Sequence, residues 1–137
     1  MLAAASLFAG TTAYGAAVAV REGVPGEPFG RRLPGGVLTQ VGTGMGTGTM
    51  APWPMPVAAL AAAVRARPGA SGPGRGGLAV GSLCLAGIVI EPVAWGLRSG
   101  SRATTATTVL HLLSGVALVL AGRRAVLAAR VPPTSAG

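Results

Sequence analysis

The chain has 137 residues, of which 50% are hydrophobic and only 10% are charged, with a formal net charge of +8. Soluble domains usually carry about 25% charged residues, so this composition excludes an ordinary soluble globular domain. The basic residues are all arginines, spread over every polar segment without interleaved aromatic residues, which argues against nucleic-acid binding. The single cysteine, Cys84, excludes an intrachain disulfide and a cysteine metal cluster.

Four apolar segments reach the length of roughly 20 residues that a membrane-spanning helix needs. They cover about residues 1–20, 47–66, 77–97 and 104–123, and we call them the first to fourth apolar segments. The pattern predicts an all-α fold, a four-helix transmembrane bundle with a Gly/Pro-rich first loop. We expect a single integral membrane domain over residues 1–131 and a disordered C-terminal tail over residues 132–137.

The first apolar segment is interpreted as a retained helix. Its small residues at 16–19 resemble a signal-peptide cleavage site, but no basic residue precedes the apolar core as a signal peptide requires. A cleaved signal peptide is the alternative. One helical face carries Ser6, Gly10, Tyr14 and Ala17, and we expect this face to pack against a neighbouring helix.

Residues 21–50 form a loop rich in Gly and Pro. Its Gly/Thr alternation at 42–48 matches neither a dinucleotide-binding nor a Walker pattern. We interpret it as a flexible linker, with a re-entrant segment covered by protein as the alternative. Pro52, Pro54 and Pro56 crowd the start of the second apolar segment, so its regular helix is expected to begin near Pro54.

The arginines in short flanking segments predict the membrane orientation. With both termini inside, six arginines lie on the cytoplasmic side and five on the outer side. We therefore expect a multi-pass protein of the plasma membrane with both termini cytoplasmic. The inner set is Arg65, Arg67, Arg75, Arg123, Arg124 and Arg130, and the outer set is Arg21, Arg31, Arg32, Arg98 and Arg102.

Glu91 and His111 are the most informative residues, because an ionisable group inside a spanning segment is costly and marks packing or function. Each lies seven residues from the short turn that joins the third and fourth apolar segments. Antiparallel helices would bring both to the same depth, roughly 10 Å below the membrane interface. We predict that these two side chains form an intramembrane polar pair.

Four further residues are predicted to support this pair in a small pocket. At 100° per residue, Cys84 and Trp95 share the face of Glu91, and Thr107 and Thr108 lie on the face of His111. Pro92 is expected to kink the third helix directly after the glutamate. The aliphatic opposite face of the fourth segment is expected to contact lipid.

Three interpretations of the pair stay open: it specifies packing, it forms part of a proton or small-solute path, or His111 binds a metal or haem. One His and one Glu are too few ligands for most metal sites, so neither a metal nor a cofactor is expected. No catalytic set is visible, because the chain has one His and its three acidic residues are all Glu.

The favoured function is therefore that of a non-enzymatic partner or assembly component. We expect it to contact the lipid bilayer and either a protein partner or further copies of itself. The first alternative is a small proton or solute transporter or channel subunit that uses Glu91 and His111. A membrane oxidoreductase-type subunit with a borrowed cofactor is the second alternative.

Two stretches, residues 46–56 (GTGTMAPWPMP) and residues 90–95 (IEPVAW), carry a resemblance. They resemble small, uncharacterised four-helix integral membrane proteins of high-GC actinobacteria. The chain also lacks Lys, Asp and Asn, as codon bias in a GC-rich genome would produce. The resemblance implies a four-pass membrane protein and no particular activity.

Overall fold

The computed structural model describes residues 1–98 and 100–130, which form an all-helical fold. Its helices are α1 (Leu2–Glu22), α2 (Val37–Thr43), α3 (Pro54–Val64), α4 (Ser71–Ile90) and α5 (Arg102–Ala128). Two 3-10 turns, Pro28–Gly30 and Pro92–Trp95, lie in the connections. The tail predicted at residues 132–137 lies outside the described residues.

Three helices are long and apolar enough to cross a membrane: α1 with 21 residues, α4 with 20 and α5 with 27. Helix α3 has only 11 residues. At 1.5 Å per residue it extends about 16 Å, roughly half of the hydrocarbon core. The expectation of a 20-residue helix over residues 47–66 is therefore wrong. Proline is tolerated only in the first turn, and α3 indeed begins at Pro54.

Helices α1, α3, α4 and α5 pack in a ring in which each contacts two others. Ser101, just before α5, donates a hydrogen bond of 2.6 Å to Glu22 at the end of α1, so these two helices are antiparallel. We call the end at which α1 and α4 terminate the capped end. The opposite end, which carries Arg65, Arg75 and Arg123, is the arginine-rich end.

Glycines bring α4 and α5 into close contact towards the arginine-rich end. A Cβ atom added at Gly81 would lie 2.8 Å from the carbonyl oxygen of Gly115, and one added at Gly122 would lie 2.6 Å from that of Gly74. Such close backbone approach between helices in lipid requires small residues at the interface. The glycines therefore set the short distance between α4 and α5 in this half of the bundle.

The buried face of α1 differs from the predicted one. Ser6, Gly10, Tyr14 and Ala17 are exposed. The buried set is Ala5, Phe8, Thr11, Thr12, Gly15, Ala16, Val18 and Ala19. Phe8 is fully buried in a core with Leu118 and Val80, and burying this large apolar side chain stabilises the fold more than burying small or polar ones does. The large apolar side chain of Phe8 therefore decides which face of α1 is buried, and the small residues of the predicted face do not.

The loop predicted as a flexible linker is folded over the capped end, and we call residues 23–53 the cap segment. Gln40, which is fully buried, holds this segment together through its side-chain hydrogen bonds. The Gln40 amide oxygen accepts a hydrogen bond from the Gly26 N–H at 2.9 Å, and its nitrogen donates to the carbonyls of Leu33 and Gly35 at 3.0 and 3.3 Å. One side chain therefore satisfies three backbone groups that a buried loop would otherwise leave unpaired.

Helix α4 ends at Ile90, seven residues earlier than predicted, and begins at Ser71, six residues earlier. Glu91 has an extended backbone (φ −91°, ψ 116°). Proline disfavours helical geometry in the residue before it, so Pro92 ends the helix instead of kinking it. Glu91 therefore follows helix α4 instead of lying within it.

Candidate functional site: a cavity beneath the cap segment

A cavity of about 270 Å³ lies between α4, α5 and the cap segment. Its walls are mostly apolar, from Leu83, Gly87 and Ile88 of α4 and Met55 of α3. Residues 45–52 of the cap segment close the remaining side. Glu91, Thr108 and His111 contribute polar groups to the same cavity. An apolar cavity with a few polar groups is the usual form of a small-molecule site.

Glu91 lies at the cap-segment side of this cavity. Its two carboxylate oxygens accept hydrogen bonds from the Glu27 N–H at 3.3 and 3.2 Å. Burial raises the pKa of the Glu91 carboxyl above its ordinary value; the Glu27 N–H opposes that rise and the nearby Glu27 charge adds to it. Across residues 1–98 and 100–130, no cationic side chain lies within salt-bridge distance of Glu91.

His111 is only 5% exposed and sits on α5 against Phe8, whose ring it meets edge to face at 6.2 Å between centroids. Its Nδ1 lies 3.0 Å from the Thr107 carbonyl oxygen, which can only accept, so Nδ1 carries the proton. In the neutral ring, Nε2 is then an acceptor. This Nε2 atom is buried and lacks a hydrogen-bond partner within the described chain.

The structure places Glu91 and His111 in the walls of one cavity. Their hydrogen bonds run to Glu27 and Thr107, and no hydrogen bond joins the two side chains; that they act together as a polar pair stays a prediction. Thr108 and Cys84 also line the cavity. The buried polar face of α5 includes His111 and Thr107, as predicted, together with Thr104 and Ser114.

Thr107 and Trp95 are not among the residues that line the cavity. The Thr107 hydroxyl donates to the Thr104 carbonyl at 2.7 Å within α5. Trp95 is 58% exposed and donates its indole N–H to the Val89 carbonyl at 3.0 Å. Because α4 ends before Pro92, Trp95 no longer shares a helical face with Glu91, and the basis for its predicted place in the pocket is gone.

The cavity wall formed by the cap segment was not predicted from the sequence. Thr49 inserts beside α1, where its hydroxyl donates to the Gly15 carbonyl at 2.9 Å. A Cβ atom at Gly15 would overlap the carbonyl group of Thr49, so only glycine admits this approach. The available signal was the uncharged run from Leu33 to Met50, which is unusual for a solvated loop and suits a segment covered by protein.

A second cavity, of about 210 Å³, also borders Glu91, and we call it the vestibule. Glu22, Glu27 and Arg98 line it together with Glu91, which therefore borders both cavities. Arg98 pairs with Glu27 at 2.8 Å. Glu22 accepts hydrogen bonds from Arg21 at 3.0 Å and from Ser101 at 2.6 Å. Glu91 is thus the carboxylate of this region that faces the inner cavity without a charged partner.

The residues present do not form a metal centre of their own: among those described, no three His, Cys, Asp or Glu side chains group closely enough to hold an ion. The arrangement instead provides an apolar space with hydrogen-bonding groups at its walls. Comparison with protein-family models, curated proteins and solved structures gives no match for this chain.

Proposed function

We propose that this protein is a multi-pass protein of the plasma membrane that binds a small molecule in the cavity beneath the cap segment. The observation that carries the proposal is the cavity of about 270 Å³ whose wall includes both Glu91 and His111. Drug-sized ligands occupy pockets of roughly 300–1,000 Å³, so this volume suits a smaller molecule. Holding and releasing such a molecule requires no catalytic group.

In this proposal the chain crosses the membrane four times, and the second crossing is discontinuous. Its inner half is α3, whose Ala62 lies against Gly76 near the start of α4. Its outer half is the irregular chain around Thr49, which is buried between α1 and the cavity. Irregular backbone is tolerated at membrane depth where protein covers it or where it lines a cavity, and solute sites of transporters form at such broken helices.

The arginines favour an orientation with the arginine-rich end in the cytoplasm and the cap segment outside. The exposed apolar side chains of α5, such as Leu113 and Leu120, suit lipid as well as a protein partner. These exposed side chains therefore do not favour an assembly component over a protein that binds a small molecule. Reporter fusions in the cap segment and at the C-terminus test the orientation.

The single cysteine provides a direct test of the proposed cavity, because Cys84 lines it. We expect a small, neutral methanethiosulfonate reagent to modify Cys84 in native membranes. Gly87 also lines the cavity, and a Cβ atom there meets nothing within 4 Å, so Gly87→Leu should fill the cavity and slow the modification.

Gly72→Leu is the matched control, because Gly72 is on the same helix, is equally open and lies away from the cavity. It should leave the labelling rate unchanged. Equal labelling rates in the wild type and in Gly87→Leu would contradict the proposal, since they would show that the reagent does not reach the thiol through this cavity.

A further inference from the structure

Six polar side chains line the cavity, and only the Thr47 hydroxyl, which accepts from the Thr49 N–H at 3.4 Å, keeps an uncommitted proton to donate; the others act as hydrogen-bond acceptors or already donate elsewhere. The hydroxyls of Thr49 and Thr108 already donate to the carbonyls of Gly15 and Thr104, at 2.9 and 3.2 Å. The Cys84 thiol likewise lies 3.7 Å from the His111 carbonyl oxygen. Glu91 offers carboxylate oxygens, and the unpaired Nε2 of neutral His111 is a further acceptor, buried in the cavity wall. A molecule that pairs with these groups must itself donate hydrogen bonds.

The N-terminus of α3 borders the cavity but does not provide donors to an anion. Pro54 and Pro56 have no N–H group. The Met55 N–H donates to the Pro52 carbonyl at 2.9 Å, and the Val57 N–H donates to the Trp53 carbonyl at 3.4 Å. The free N–H groups that make most helix N-termini bind anions are therefore absent from this first turn.

The C-terminus of α4 favours a positively charged ligand in this cavity. Ile88 and Ile90, in the last turn of α4, line the cavity. The C-terminal end of a helix carries a partial negative charge, which stabilises a nearby cation. Glu91 follows directly and adds a full negative charge when it is ionised, and no cationic side chain in residues 1–98 and 100–130 neutralises it.

We infer that the molecule bound in this cavity is a small apolar cation, an amine whose ammonium group lies at Glu91 and whose hydrocarbon body fills the apolar space. This inference rests on the proposed function and names its ligand class. An ammonium group donates hydrogen bonds to a wall rich in acceptors. It pairs with Glu91, which among the described residues has no cation within salt-bridge distance. Burial of the Glu91 carboxyl raises its pKa, and a bound cation reverses that cost by stabilising the ionised form.

Three probes that share one rigid hydrocarbon cage test the inference: 1-adamantylamine, 1-adamantanol and adamantane-1-carboxylate. Their binding to the full-length protein in lipid nanodiscs is measured by isothermal titration calorimetry at pH 7, with empty nanodiscs subtracted. We expect the amine to bind about 10- to 100-fold more tightly than the alcohol, the range set by a hydrogen bond to a charged group. The carboxylate should bind most weakly.

Glu91→Gln keeps an oxygen acceptor for the Glu27 N–H but removes the charge. It should remove the preference for the amine over the alcohol, and measurable binding of the alcohol to this variant would show that the cavity is intact. Glu22→Gln is the charge-matched control, because Glu22 lies in the vestibule and bonds to Arg21 and Ser101. It should retain the preference for the amine.

Equal binding of amine and alcohol, tightest binding of the carboxylate, or an amine preference that survives Glu91→Gln would each overturn the cation assignment. In all three cases a probe binds, so the proposed function would stand. Binding of no probe to the wild type would contradict the proposed function as well as the ligand class.

Discussion

Helices α4 and α5 behave differently at their two ends, and two glycines of α4 show the contrast. A Cβ atom at Gly81 would collide with the backbone of α5, whereas one at Gly87 would meet nothing within 4 Å. Six residues along one helix therefore separate a closed interface from an open cavity. Glycine therefore has two roles in this chain. Towards the arginine-rich end it lets helices pack closely, and beneath the cap segment it leaves the cavity open.

The largest effect is expected from filling the closed interface. Gly81→Leu should force α4 and α5 apart, because the atoms nearest its new side chain include the Gly115 carbonyl at 2.8 Å and the Val119 N–H nitrogen at 2.9 Å. The expected destabilisation is about 3 kcal/mol or more, at the upper end of overpacking costs. Thermal unfolding in detergent measures it, with Gly87→Leu as the control on the same helix. Equal melting temperatures for the two variants would show that α4 and α5 are no closer together at Gly81 than at Gly87.

A smaller effect is expected from unfolding the cap segment alone. Gln40→Ala leaves the Gly26 N–H and the Leu33 and Gly35 carbonyls without their partner, at a cost of about 1–2 kcal/mol. Trypsin should then cleave after Arg31 and Arg32 faster than in the wild type, since cleavage follows local opening. Thr43→Ala serves as the control because the Thr43 side chain bonds only within α2. Unchanged cleavage in Gln40→Ala would mean that Gln40 does not organise the cap segment.

Charged thiol reagents test the sign of the charge in the open cavity. We expect a cationic methanethiosulfonate to modify Cys84 about 10-fold faster than an anionic one of similar size, because a negatively charged cleft concentrates cations. Glu91→Gln should bring the two rates together. An anionic reagent that reacts faster than the cationic one would reverse the assigned sign of the cavity.

The smallest effect concerns pH. The pKa of Glu91 is raised in the folded state, so the native protein binds this proton more tightly than the unfolded chain does. Its contribution to stability is therefore present below the ordinary carboxyl pKa and is lost as pH rises through the raised value. Melting temperatures from pH 4 upward should fall less in Glu91→Gln than in the wild type. A steeper fall in the variant would contradict the direction of the shift.

Much of the helical framework could be predicted because it depends on local properties of the chain. Hydropathy and length identified α1 and α5, and helical periodicity placed His111 on the buried polar face of α5. The same periodicity failed on α1, since two faces had suitable small residues and the volume of Phe8 chose between them. It failed again after Ile90, where Pro92 ended the helix and removed Trp95 from the site.

The sequence by itself predicted four apolar segments, three of which contain helices long and apolar enough to cross a membrane, and it determined the proline-limited start of α3. Hydropathy, proline geometry and helical period act within a few residues, so they can be read locally. Only the tertiary structure decided the cap segment and the cavity. Both depend on contacts between distant residues, Gly26 with Gln40 and Gly15 with Thr49, whose partners no local pattern specifies.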